Sequence, residues 1–157
     1  MNEADKLINS VDWSNHATLY GRADGAPNKD GQSFCVPERL RALFSEDTQN
    51  AVTAAEELWN SFHSKSRHIM SAALPSYDIL MHCLRTIENE RICCELLDIL
   101  AGFAECAAEN VSGDKLSDTL HEKLLCDIEY FRDLTKNTNA KISECAAEIC
   151  SLLYEEE

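Results

Sequence analysis

The chain has 157 residues, 45% of them hydrophobic, with 28 Asp plus Glu against 14 Lys plus Arg, a net charge of −14 and a pI near 4.7. This length suits one domain that buries roughly 70% of its unfolded surface, and the apolar content excludes a disordered chain. The acidic field repels nucleic acid and anionic membrane, and no apolar run approaches the roughly 20 residues of a membrane span, so neither is an expected partner.

The N-terminus, MNEADKLINS, is acidic and polar and does not read as a signal peptide. A cytoplasmic setting is expected, with the eight Cys reduced and serving mostly as small buried hydrophobes. Residues 2–10 can form a short helix. From Val11 to Val36 the pattern is irregular: GRADGAPNKDGQ carries three of the five Gly and one Pro, the composition of a surface loop. Beyond it, helix breakers nearly vanish, which argues for an all-α body.

Pro37 suits the first helical position and opens PERLRALF. Ser45 or Asp47 then caps a helix in which Val52, Ala55, Leu58, Trp59 and Phe62 share one face. The segment SKSRHIMSAAL reads as a connector. Pro75 opens the next helix, with Tyr77, Leu80, Leu84 and Ile87 aligned, and Glu88-Asn89 breaks it.

In the next helix, Arg91, Glu95, Asp98, Gly102, Glu105 and Glu109 recur at steps of four and three. They form one narrow line, with Ile, Leu, Cys, Phe and Ala around the remaining circumference. A helix so wrapped needs neighbours on several sides. Gly113 precedes a helix over 115–136 with the core row Leu116, Leu120, Leu124, Ile128 and Phe131. The last helix, about 139–154, packs Ile142, Cys145, Ala146, Ile149, Leu152 and Leu153 and exposes Lys141, Glu144, Glu148, Ser151 and Glu155.

The helices fall into three pairs, about 37–63, 75–109 and 115–155, and this spacing of about forty residues matches the helix-pair repeats of α-solenoids. The expected organisation is a single domain, with an N-terminal helix and loop extension over 1–36 and a helical-repeat body over 37–157. A compact, non-repeating helix bundle is the alternative.

Residues 11–75 carry a resemblance: Trp13, Tyr20-Gly21-Arg22-Ala23, Val36-Pro37-Glu38-Arg39-Leu40-Arg41-Ala42-Leu43, Ser45 with Asp47, Ala55, Leu58, Asn60, His63 and Leu74-Pro75. In these the chain resembles small bacterial HEAT-like proteins, where a Tyr-Gly-x-Ala turn leads into a Pro-started helix and an Asn…His pair closes the next. The loop from Asp24 to Cys35 is longer than usual, and Ser64-Lys65 stands where Gln-Gly commonly follows the His. The resemblance implies a HEAT-like superhelix of about three helix pairs. It also implies a possible role as an immunity protein that binds and blocks a cognate toxin. It brings no catalytic residues.

Reaction motifs are missing. His121-Glu122 begins an H-E-x-x-H, but position 125 is Leu. His63 and His68 do not stack on one helical face. His82-Cys83 and Cys93-Cys94 could approach across a hairpin, yet they lack the tight spacing of a structural zinc site. The loop at 26–31 has Ala26 where a calcium loop needs its first ligand. Cys93, Cys94, Cys106, Cys145 and Cys150 sit in acidic, apolar helices, which disfavour thiolates. Arg39, Arg41, Lys65, Arg67 and His68 are too few for a nucleic-acid site. No enzymatic activity, metal or cofactor is expected.

What remains is charge. Glu95, Asp98, Glu105, Glu109, Glu144 and Glu148 are expected to form a docking face for a protein partner, most concretely a basic toxin such as a nuclease domain. The free chain is expected to be a monomer. The same rows read equally as the solvated edges of core helices. A general scaffold or adaptor is the competing function, and a Cys/His metal or redox sensor the third.

Overall fold

The computed structural model describes residues 2–63, 68–110, 113 and 115–154. Among these, eight α-helices and one two-stranded ribbon form the fold. The readings that involve Ser64-Lys65, Arg67 and Glu155 lie outside the described residues.

Helix α1 (Glu3–Asn9) starts at Asn2, whose side chain accepts from the Asp5 N–H at 2.8 Å. The stretch expected to be an irregular loop carries local order of its own. It holds a 3₁₀ turn at Trp13–Asn15 and a ribbon of β1 (Ala17–Thr18) with β2 (Gly21–Arg22), antiparallel, pairing Ala17 with Arg22. An Asp24–Cys35 bridge closes the loop base. Asn28 organises the tip. Its amide donates to the Tyr20 carbonyl at 3.1 Å, and its Oδ1 accepts from the N–H groups of Asp30 and Gln32, each at 2.9 Å. Asn is suited to this because its side chain can satisfy the backbone of a tight turn. Trp13 donates its indole N–H to the Ile8 carbonyl at 2.9 Å, and Ile8, Trp13, Ala23 and Phe34 belong to one core with the helices that follow.

Helix α2 (Val36–Ala42) begins one residue before Pro37, and α4 (Ala73–Thr86) two residues before Pro75. In each, Pro falls in the first turn, where its missing N–H removes no intrahelical bond. For α3 (Thr48–Phe62), Asp47 is the cap, accepting from Gln49 and Asn50, while Ser45 Oγ accepts from the Asp47 N–H at 3.1 Å. Asn89 caps α5 (Glu90–Glu109) through the N–H groups of Arg91 and Ile92, and Asn110 ends it in the left-handed region at φ 39°. Asn139 caps α8 (Ala140–Tyr154) in the same way, accepting from Lys141 at 3.0 Å and Ile142 at 3.3 Å.

The single helix expected over 115–136 is two: α6 (Lys115–Cys126) and α7 (Ile128–Leu134), parted at Asp127. The reason lies on α4. Asp127 accepts from the Tyr77 hydroxyl at 2.7 Å and from Arg85 Nη2 at 2.8 Å, and Arg85 also lies 5.0 Å over the Tyr130 ring.

Helix α5 is the centre of the fold. It packs most extensively on α8, then on α3 and α6, and also touches α4. Helices α3, α5 and α8 run in the same direction. At their starts Asn89 reaches Thr48 at 3.1 Å and Asn139 reaches Glu90 at 2.6 Å. Further along, the Phe62 and Phe103 rings lie 5.6 Å apart, and Cys145 meets Asp98. On the other side of the core, α2, α4 and α6 contact one another in turn. Leu58, Phe62, Leu80, Leu96, Leu97, Leu100, Phe103, Leu124 and Ile149 fill the space between. Among the described residues, no helix is long and apolar enough to cross a membrane.

Candidate protein-docking face

The line along α5 has the exposure its spacing predicts. Arg91, Asp98 and Glu109 are exposed and Glu95, Gly102 and Glu105 half-buried, while every other position except Glu90, Cys93 and Ala108 is buried. Helices α3 and α8 border the line on its two sides. From α3, Glu56 and Asn60 are exposed and Trp59 is half-buried. From α8, Lys141 Nζ lies 3.8 Å from Asp98 Oδ2, and the Cys145 thiol donates to Asp98 Oδ1 at 3.5 Å. Glu148 is one turn beyond Cys145 on that flank, and Glu144 projects further outward; both are exposed.

Of the six carboxylates expected to act together, Glu95 and Asp98 are neighbours in the middle of the face. Glu105 and Glu109 continue toward the C-terminal end of α5, and Glu144 and Glu148 follow the adjoining edge of α8. The row is not purely acidic: Lys141 faces Asp98, and Arg91 donates to Gln49 Oε1 at 3.3 Å. Burial raises Glu95 above the ordinary carboxylate range, and the Asp98 and Glu56 carboxylates raise it further. Lys141 and Arg91 oppose this shift without cancelling it.

The feature that sequence reasoning passed over is Trp59. Its position among apolar residues marks it as core, but the indole reaches across the α5 line at Gly102. A Cβ on Gly102 would stand 2.3 Å from Trp59 Cη2 and 2.4 Å from Cζ2, so only glycine leaves room for the ring. His63 stacks on the indole at 3.8 Å between centroids with 14° between planes, and its Nδ1 lies 2.7 Å from the Trp59 carbonyl oxygen. One signal for this was present in the sequence. Gly102 is the sole residue of the polar line without a side chain, a gap that an aromatic from a neighbouring helix can fill. Between α3 and α5, Trp59, Glu56, Asn60, Glu95 and Asp98 line an open groove of about 360 Å³, with Ala55 and Ile99 as its apolar floor.

The other candidate chemistries find less support. Burial pushes the Cys83 thiol far above its ordinary range and Cys145 up to about 11, and raises Cys93, Cys94 and Cys150. Such thiols hold their protons and make poor nucleophiles at neutral pH. Among the described residues, no three His, Cys, Asp or Glu side chains are placed to hold a metal ion. Arg39 pairs with Glu57 at 3.3 Å, and Arg41 with Asp5 at 3.7 Å and Asn9 at 2.7 Å. The described part of the basic cluster is thus matched by local partners. Comparison of the chain with models of known protein families, with curated proteins and with solved structures finds no match.

Proposed function

We propose that the protein is a non-enzymatic, stoichiometric binding module whose helices form three HEAT-like pairs, α2–α3, α4–α5 and α6/α7–α8. Its partner is a basic protein, in the most concrete form a toxin domain that it neutralises as an immunity protein in the cytoplasm. The observation that carries this reading is the side-by-side, same-direction course of α3, α5 and α8. Their exposed sides adjoin, and Glu56, Glu95, Asp98, Glu105, Glu109, Glu144 and Glu148 fall on one tract of surface where, among the described residues, Lys141 and Arg91 are the neighbouring cations of the two central carboxylates. A tract of this sign suits the phosphate-binding surface of a nuclease, which must be positive to hold its own substrate. The mechanism is steered encounter followed by occlusion, with the carboxylates accepting Lys and Arg of the partner.

Association is then fast at low ionic strength and weakens as salt screens the exposed charges. The test is affinity capture from the protein's own cells, with the triple variant Glu95→Lys, Asp98→Lys, Glu105→Lys as control. A small basic partner at one-to-one stoichiometry, lost in the variant while its helical signal persists, is the expected result. Capture that survives the charge reversal would overturn the assignment of this face. A large assembly in place of a single basic partner would favour the general adaptor.

A further inference from the structure

The groove between α3 and α5 differs from the rest of the acidic tract in three ways. It is concave, and its volume of about 360 Å³ is at the lower end of the range for small-ligand sites, roughly 300–1,000 Å³. That is room for one long side chain. Its walls combine two kinds of surface, the half-buried indole of Trp59 and the carboxylates of Glu56, Glu95 and Asp98. The indole is held in place before any partner arrives, by the space at Gly102 and the stack on His63.

The groove also does not end at α3. Asn60, exposed on that helix, lines a second cavity of about 370 Å³ on its other side, formed with Tyr20 and Phe34 of the N-terminal segment and with Arg39. Two concavities flanking one Asn suit a segment of chain laid across the helix better than a lone ion. The Asn amide can both donate to and accept from a passing peptide group. The cavity on the far side, where Gln32, Ser33, Arg39 and Glu57 join the two aromatic rings, suits a polar side chain with an apolar stem from the same segment.

Resting on the reading of this face as protein-binding, we propose that the α3–α5 groove seats one arginine side chain of the basic partner. The partner's backbone crosses α3 at Asn60 in extended form. Arginine satisfies both kinds of wall at once: its planar guanidinium stacks on an indole and forks to carboxylates, whereas a lysine ammonium is a strongly hydrated point charge. The occupant adds positive charge to a groove that Lys141 reaches at its outer edge, where it pairs with Asp98.

The test uses the full chain, isotope-labelled, titrated with a blocked Ala-Arg-Ala peptide and its lysine and citrulline analogues. The indole N–H resonance of Trp59 is followed by NMR. Trp13, buried and hydrogen-bonded to the Ile8 carbonyl, supplies an internal reference. Saturable movement of the Trp59 signal is expected with the arginine peptide. The lysine analogue should bind several-fold more weakly, and the uncharged citrulline analogue should give no saturable response. The double variant Glu56→Gln, Glu95→Gln should weaken arginine binding about tenfold or more, because two charge-assisted contacts are lost, with the Trp13 signal unmoved. An unmoved Trp59 resonance, an equal response to lysine or citrulline, or undiminished binding by the variant would overturn the proposal. The peptide titration reads the groove without any partner, and affinity capture reads the partner without the groove. A captured basic protein with a silent Trp59 therefore sinks this inference alone. A responsive Trp59 with no basic partner in the cell keeps the groove and sinks the proposed function.

Discussion

Replacing Gly102 by Ala sets two effects of opposite sign against each other. In a helix interior the exchange ordinarily stabilises by about 1 kcal/mol. Here the new Cβ would stand 2.3 Å from Trp59 Cη2, far inside contact distance, so the indole must lift away. A Trp side chain buries roughly 200 Å², and exposing about a third of it costs about 1.7 kcal/mol at 25 cal/mol per Å². The ring also loosens its stack with His63, at 3.8 Å, and its tilted contact with Phe103, at 5.9 Å. Each such pair contributes about 0.5–1.5 kcal/mol. The packing loss wins, and Gly102→Ala is expected to destabilise by about 1–2 kcal/mol, a fall in Tm of about 3–6 °C for a chain of this size. Urea unfolding followed by far-UV circular dichroism measures the loss, and tryptophan emission reports whether the ring has moved. A variant of equal or higher stability with unchanged emission would refute the reasoning, because Trp59 could not then occupy the space beside Gly102.

Three further outcomes are expected. Asp127→Ala leaves the Tyr77 hydroxyl and Arg85 without their shared acceptor, and should destabilise by about 1–3 kcal/mol in urea unfolding; Asp127→Asn, whose single amide oxygen can replace one of the two accepting carboxylate oxygens, should lose less. Glu95 holds its proton more tightly folded than unfolded, so its contribution to stability is full below the ordinary carboxylate range and is lost as pH rises through its elevated folded value. Glu95→Gln should therefore stabilise at neutral pH, by about 0.2–0.5 kcal/mol for removal of a like-charge helix neighbour. It should change stability little in acid, and a gain that persists there would contradict the assignment. In thiol titration of the native chain, exposed Cys126 should react first and buried Cys83 only on unfolding; rapid modification of Cys83 or Cys145 would reopen the redox reading.

The burial of α5 was legible because it is local. Steps of four and three along one helix assign every residue to a side, whatever the neighbours are. The cap at Asp47 follows from residue type, because its side-chain oxygen lies within reach of two orphan N–H groups, and Asn89, legible only as a break, and Asn139 prove to cap in the same way. The break at Asp127 was not legible. Leu116 to Phe131 keep helical periodicity straight through it, and the partners that claim Asp127 lie 50 and 42 residues away on α4. The order in the N-terminal segment escaped for a similar reason: Gly, Pro and Asn announce a turn but not that Trp13 and Phe34 on either side of it enter the core. Trp59 shows the limit most clearly. Its helix places it on the apolar side, and only the gap at Gly102, forty-three residues on, shows that the indole crosses into the polar line.

The central place of α5 also governs how the molecule comes apart. Helices α3, α4, α6 and α8 all rest on it, so the amide protons of its buried sides are covered by several neighbours at once. Helix α1, held chiefly by α2 and α4, and α7, held chiefly by α8, can each open while the rest stands. Hydrogen exchange should accordingly sort the helices into tiers, with the buried middle of α5 exchanging last and α1 and α7 through cheaper local openings. The helix that presents the acidic line is thus the last to yield. The face it carries keeps its shape through every smaller fluctuation of the fold.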